Sequence, residues 1–225
     1  PMIHPKRLIL FFASLFLGTM VSAQIKQDSL SDLKTLNPEQ QFQDNFYEAL
    51  KQKGLENYTK AIDALINCSK LYPERAVVYF QLGDLYYKTK AFSRAESNLQ
   101  KAILLDENNF WYKEKLYQLY VHNEDYDKAI TALKPLLSKH QAFQEELVHL
   151  NMSAGHYETA LKQIEKLDAQ YGYTSERDQH RINIYLQTGN QIDHLQFLKK
   201  RLRQAPENAQ HFLNIIYTLS QYGLR

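Results

Sequence analysis

The spacing of four alanines constrains this chain more than any other feature. Ala61, Ala95 and Ala129 are separated by equal steps, and Ala160 follows after a step three residues shorter. Each alanine lies three residues after an aromatic (Tyr58, Phe92, Tyr126, Tyr157) and four before an aliphatic residue (Leu65, Leu99, Leu133, Ile164). Steps of three and four put all three side chains on one helical face. A small residue there lets a neighbouring helix approach closely, while the aromatic fills the gap beside it. The segments ahead repeat as well: Leu82-Gly83-Asp84-Leu85-Tyr86, Leu116-Tyr117-Gln118-Leu119-Tyr120 and Leu147-Val148-His149-Leu150-Asn151. With only 7 Gly and 6 Pro among 225 residues, the chain lacks the turn formers that sandwiches and barrels need, so an all-α fold is expected.

Pro73 lies 12 residues beyond Ala61, and Pro206 takes the corresponding place after the fifth unit, where one helix must end and the next begin. The pattern resembles the tetratricopeptide repeat family, whose helix-turn-helix units run to about 34 residues with a W-x2-L-G-x2-Y…A-x3-F…A…P signature. Residues 76–109 match best, through Tyr79, Leu82, Gly83, Tyr86, Ala95, Leu99 and Ala102, with Glu107 in place of the proline. The resemblance implies an all-α, right-handed α-solenoid of antiparallel helix pairs, of an exported bacterial type. Its units fall near 42–75, 76–109, 110–143, 144–174 and 175–208, with a partial unit at 209–225, so that the array occupies 40–225.

Several departures carry expectations. Glu48 and Gln52 stand where the first unit should have Leu and Tyr, which suits a polar end cap. Asn151 replaces the tyrosine found at Tyr86, Tyr120 and Tyr185, and a buried amide there needs polar partners. Pro135 should kink or shorten the second helix of the third unit. The fifth unit has Gln191 and His194 where the aromatic and Ala belong. Gly155, Gly189 and Gly223 recur at one phase, so a further helix is expected after Gly223 in a longer array, the alternative being that the last helix caps the solenoid.

The N-terminus reads as an address. Lys6 and Arg7 precede an uncharged apolar run from Leu8 to Val21, and Val21-Ser22-Ala23 supplies small residues for cleavage after Ala23. That run is short of the ~20 residues that span a bilayer. A signal peptide is expected at 1–23, with a retained anchor as the alternative and a polar linker at 24–39. Export follows, to the periplasm or envelope if the source is Gram-negative, with membrane contact only through an uncleaved signal segment. The chain's 27 basic against 25 acidic residues become 25 against 25 after cleavage. A neutral mature chain argues against nucleic-acid binding, which needs surplus Lys and Arg to displace counterions.

Catalytic signatures are missing: no Walker motif, G-x-S-x-G, H-E-x-x-H or paired Cys ligands. No cofactor or metal is expected, since His149 and His156 lie seven apart across a turn and no carboxylate or Cys completes a set. Cys68 falls at the phase of Ala102, which suits a buried inert thiol, and a single cysteine forms no internal disulfide. The reading is therefore non-catalytic.

In the family that the chain resembles, the first helix of each unit lines a concave groove through positions 2, 5, 9, 12 and 13. This implies Phe46 and Leu50 in unit one, and Val77, Phe80, Asp84, Tyr87 and Lys88 in unit two. Unit three gives Trp111, Glu114, Gln118, Val121 and His122; unit four gives Glu145, His149 and Met152. Phe80, Tyr87 and Trp111 are the candidate anchors, because rigid aromatics dominate binding hot spots. Family members that clamp chaperone-tail carboxylates carry Lys and Asn at positions 5 and 9, where this chain has Phe46 and Leu50, then Phe80 and Asp84. The expected function is a protein-interaction scaffold that binds a peptide or partner helix. The alternatives are a sensory or regulatory segment of a longer receptor or assembly factor, and a self-associating structural protein.

Overall fold

A computed structural model describes residues 37–204 and 209–222. Among them are eleven α-helices, one 3-10 turn and no strand. Residues 1–23, expected to be a signal peptide, residues 24–36 of the expected linker, Pro206 and Gly223 lie outside the described residues. Contacts divide the chain into two compact units between Glu107 and Asn108.

The first unit holds α1 (Pro38–Gly54), α2 (Tyr58–Leu71), α3 (Ala76–Lys88) and α4 (Phe92–Leu105), each packed chiefly on its neighbour in sequence. Helix α1 starts two residues before the expected start of the array at 40. Asn37 accepts a hydrogen bond from the Glu39 backbone N–H at 3.1 Å, and Pro38 occupies the first helical turn, where its missing N–H is no loss. The polar end of α1 is satisfied by its own side chains: Gln52 Nε2 donates to Glu48 Oε1 at 2.6 Å, and Asn57 Nδ2 donates to Gln52 Oε1 at 2.8 Å. Ala61, Ala95, Leu65 and Leu99 are buried, as the spacing requires. Gly83 marks the tightest crossing, since a Cβ there would stand 2.7 Å from Leu99 Cγ. Cys68 is fully buried, its Sγ 3.6 Å from the Phe42 carbonyl, and burial pushes its thiol up to about 11.

The second unit holds α5 (Phe110–His122), α6 (Tyr126–Leu133), α7 (Ala142–Ser153), α8 (Tyr157–Tyr171), α9 (Ser175–Thr188), α10 (Gln191–Gln204) and α11 (Ala209–Gln221). Helix α6 ends at Leu133 and passes into a 3-10 turn over Lys134–Leu136, the shortening that Pro135 imposes by withholding a backbone donor. Asn151 is buried and its amide donates to the Leu147 carbonyl at 2.8 Å and to Gln163 Oε1 at 3.2 Å. His194 is fully buried at the alanine phase. Its ring stacks on Tyr185 at 5.6 Å, with Nδ1 3.0 Å from the Tyr222 hydroxyl and Nε2 3.3 Å from Thr218 Oγ1. A large polar ring thus fills the space that a small residue and a helix backbone fill elsewhere.

The tight turns share one backbone device. Glu56, Lys90, Glu124, Gly155 and Gly189 all have φ between 58° and 77°. In each turn the following N–H reaches back to the carbonyl five residues earlier: Asn57 to Gln52, Ala91 to Tyr86, Asp125 to Tyr120, His156 to Asn151 and Asn190 to Tyr185. This 6→1 bond around a left-handed residue closes the end of the first helix and launches the second.

Candidate functional site

The first helices present the residues assigned to the groove, and burial sorts them. In the first unit Leu50 and Val77 are exposed, Phe46, Phe80 and Tyr87 are half-buried, and Lys88 is exposed with its ammonium 5.8 Å above the Tyr58 ring. Phe46 stacks on Phe42 at 5.7 Å, and Tyr87 leans on Phe92 at 6.1 Å. Asp84 differs from the expectation of an open groove residue. It is buried, with Oδ2 2.7 Å from Lys53 Nζ, which also donates to Gln81 Oε1 at 2.7 Å. Burying a carboxylate requires such a partner, so Asp84 joins α1 to α3.

In the second unit Trp111 is 67% exposed. Asn109 caps α5 by accepting from the Trp111 N–H at 3.2 Å, which fixes the backbone beneath the indole. The ring meets Phe110 edge to face at 5.3 Å, and Phe110 in turn contacts His140 and Phe143. Tyr117 closes this aromatic group against Phe143 and donates to Glu146 Oε1 at 2.9 Å; burial and that carboxylate together raise its phenol well above the ordinary value. Trp111 therefore sits beside an aromatic group, Phe110, His140, Phe143 and Tyr117, that joins α5 to α7 and touches the indole through Phe110. Of the others, Gln118, His122 and His149 are exposed, while Glu114, Val121 and Met152 are half-buried.

Two groups of polar residues do not stand out in the sequence. Glu145 is engaged by an arginine: its Oε1 accepts from Arg177 Nη1 at 2.5 Å. Arg177 Nε donates to Asp168 Oδ1 at 2.7 Å and another of its nitrogens to the Gly172 carbonyl. Arg181 Nη2 lies 2.6 Å from Asp168 Oδ2, and Arg201 Nε donates to Asp178 Oδ2 at 2.8 Å. This buried ionic network joins α7, α8, α9 and α10. In the other group His149 meets Glu176 and His180 of α9, one ligand-type atom of each within 4.8 Å of the rest. His156, on the far side of the turn after α7, faces elsewhere, its Nε2 3.5 Å from Asp127 Oδ1.

Comparison with known proteins agrees with this fold. The tetratricopeptide repeat family model matches residues 76–109. Among solved structures, the chain is similar to YrrB, titled a TPR protein with an unusual peptide-binding site (TM-score 0.52, 16% identity, covering 75% of this chain and 88% of that one). It is similar to MamA (TM-score 0.55, 18% identity, 76% and 96% covered). A third likeness is to a chain of Naa15/Naa10 bound to HypK-THB (TM-score 0.68, 15% identity), covering 92% of this chain but 31% of that one. At these identities the likeness is one of fold.

Proposed function

Starting from residues 76–109 as a tetratricopeptide repeat within an array of like helix pairs, we propose that this protein is a non-catalytic interaction scaffold whose first-helix faces bind a peptide or partner helix. The observation that carries the reading is Trp111, an indole two-thirds exposed on a first helix and in edge-to-face contact with Phe110. An indole has only two side-chain torsions to fix on binding and offers much apolar area. Exposed Leu50 and Val77 offer a smaller apolar surface on the first unit. The peptide-binding site named for YrrB supports the same class of activity. The signal-like segment at 1–23 supports action after export, to the periplasm or envelope of a Gram-negative source.

The test uses a peptide selected against the intact chain from a random library, with affinity read by fluorescence anisotropy. Trp111→Ala should weaken binding by more than about tenfold with helicity unchanged. Leu104→Ala, at an equally exposed site on the second helix α4, should leave it unaltered. Equal affinities for the wild type and the Trp111 variant would remove the indole from the site. Self-association is the second reading, supported by exposed Leu213, Ile216 and Tyr217 on α11; a molar mass from light scattering that rises with concentration would favour it.

A further inference from the structure

The geometry points to a divalent transition-metal site of the zinc class, formed by His149 of α7 with Glu176 and His180 of α9. Glu176 and His180 are four residues apart on one helix, so their side chains project from the same face one turn apart. His149 reaches them from the first helix of the preceding pair. Its Nε2 is 3.9 Å from Glu176 Oε1, and its ring lies 4.4 Å from that of His180, edge to face. One ligand-type atom from each residue falls within 4.8 Å of the other two.

Metal-ligand geometry decides whether that is close enough. Zinc holds nitrogen and oxygen ligands at about 2.0–2.1 Å, which in a tetrahedron places the ligand atoms about 3.3 Å apart. Each pair must therefore close by no more than about 1.5 Å. Side-chain torsions supply that without moving a helix, because His149 and Glu176 are exposed and His180 is half-buried. The same exposure gives an ion a direct path from solvent and leaves a fourth position to water.

The electrostatics agree. Glu176 lies in the first turn of α9, where the helix dipole favours an ionised carboxylate. Arg177, the adjacent cation, is committed to Asp168 and Glu145 in the buried network. Two imidazoles and one carboxylate suit zinc, cobalt or nickel; magnesium and calcium require more oxygen ligands than the site has. The site joins two consecutive helix pairs, so the ion would brace α7 against α9. The inference is independent of the proposed function, because zinc either binds here or does not whatever the groove holds.

The experiment is calorimetric titration of the full chain, without a histidine tag and stripped of metal by chelator, with zinc chloride alone. One ion per chain should bind saturably. His149→Ala and Glu176→Gln, both at exposed positions that leave the fold intact, should each weaken binding by more than about tenfold. His180→Ala should do the same, whereas His156→Ala should not, and magnesium chloride should give no saturable heat. Far-UV circular dichroism confirms that each variant is folded, and the two exposed variants decide the matter alone if His180→Ala is not. Absence of saturable zinc binding, or wild-type affinity in His149→Ala and Glu176→Gln, would overturn the site.

Discussion

Gly83→Ala tests the packing logic of the repeat, because it sets two known effects against each other. In an exposed helix interior, replacing Gly with Ala stabilises by about 1 kcal/mol through helix propensity. At Gly83 the added methyl would stand 2.7 Å from Leu99 Cγ and 2.8 Å from Leu99 Cδ2, with the Leu99 backbone nitrogen at 3.3 Å. Leu99 is fully buried and cannot swing into solvent, so α3 and α4 must separate. Overpacking of this kind costs about 1–3 kcal/mol, and after the propensity gain the variant should lose up to about 2 kcal/mol. Leu99→Ala removes the obstacle and by itself costs about 2–5 kcal/mol. In that background Gly83→Ala should change sign and stabilise by about 1 kcal/mol or more, from propensity plus partial filling of the cavity. Urea unfolding followed by circular dichroism on all four members of the cycle gives the coupling energy. An equal effect of Gly83→Ala in both backgrounds would show that the glycine is not required by contact with Leu99.

Three further outcomes follow from the structure. Lys90 holds φ of 60° in its turn, which is strained for a side chain bearing Cβ; Lys90→Gly should stabilise by about 0.5–1 kcal/mol in a urea melt, and Gly155→Ala, at φ of 77°, should destabilise. Asp168→Asn removes the carboxylate between Arg177 and Arg181, whose side chains are 2% and 6% exposed, and should cost about 3–5 kcal/mol by thermal denaturation. Burial lowers the His194 ring below its ordinary value of 6.5, so the folded state favours the neutral form. Stability from this group is full above about pH 6.5 and is lost as pH falls through that value towards the lower folded one. Protection factors of the amides in α10 and α11, which correct for the intrinsic pH dependence of exchange, should accordingly fall between pH 7.5 and 5.5, relative to a His194→Gln control.

The helical core was legible because its period is carried by residues whose size matters. Ala61, Ala95, Ala129 and Ala160 are all fully buried, and nothing larger fits where they stand without rearrangement such as His194 makes. Pro135 and Asn151 were legible for the same reason: each breaks a rule with one specific remedy. The left-handed turns were not, since Glu56, Lys90 and Glu124 are ordinary polar residues in sequence and only Gly155 and Gly189 signal the conformation. The ionic network was hidden because Arg177, Asp178 and Arg181 read as a solvated face until Asp168 and Arg201 arrive from other helices. Asp84 likewise looked like a groove residue, because its partner Lys53 belongs to the preceding helix pair. The grouping of His149 with Glu176 and His180 is invisible to any pattern confined to one turn or one helix. Partners displaced by close to one full repeat, as Glu176 and His180 are from His149, are the signal that would reveal it.

The proposed function puts binding on the first helices rather than the second. Hydrogen exchange of the full chain, with and without a saturating library-selected peptide, tests it directly. Protection concentrated in α1, α3, α5 and α7 is the predicted result, with the amides around Trp111 among those slowed most. Protection confined to α2, α4, α6 and α8 would contradict the account.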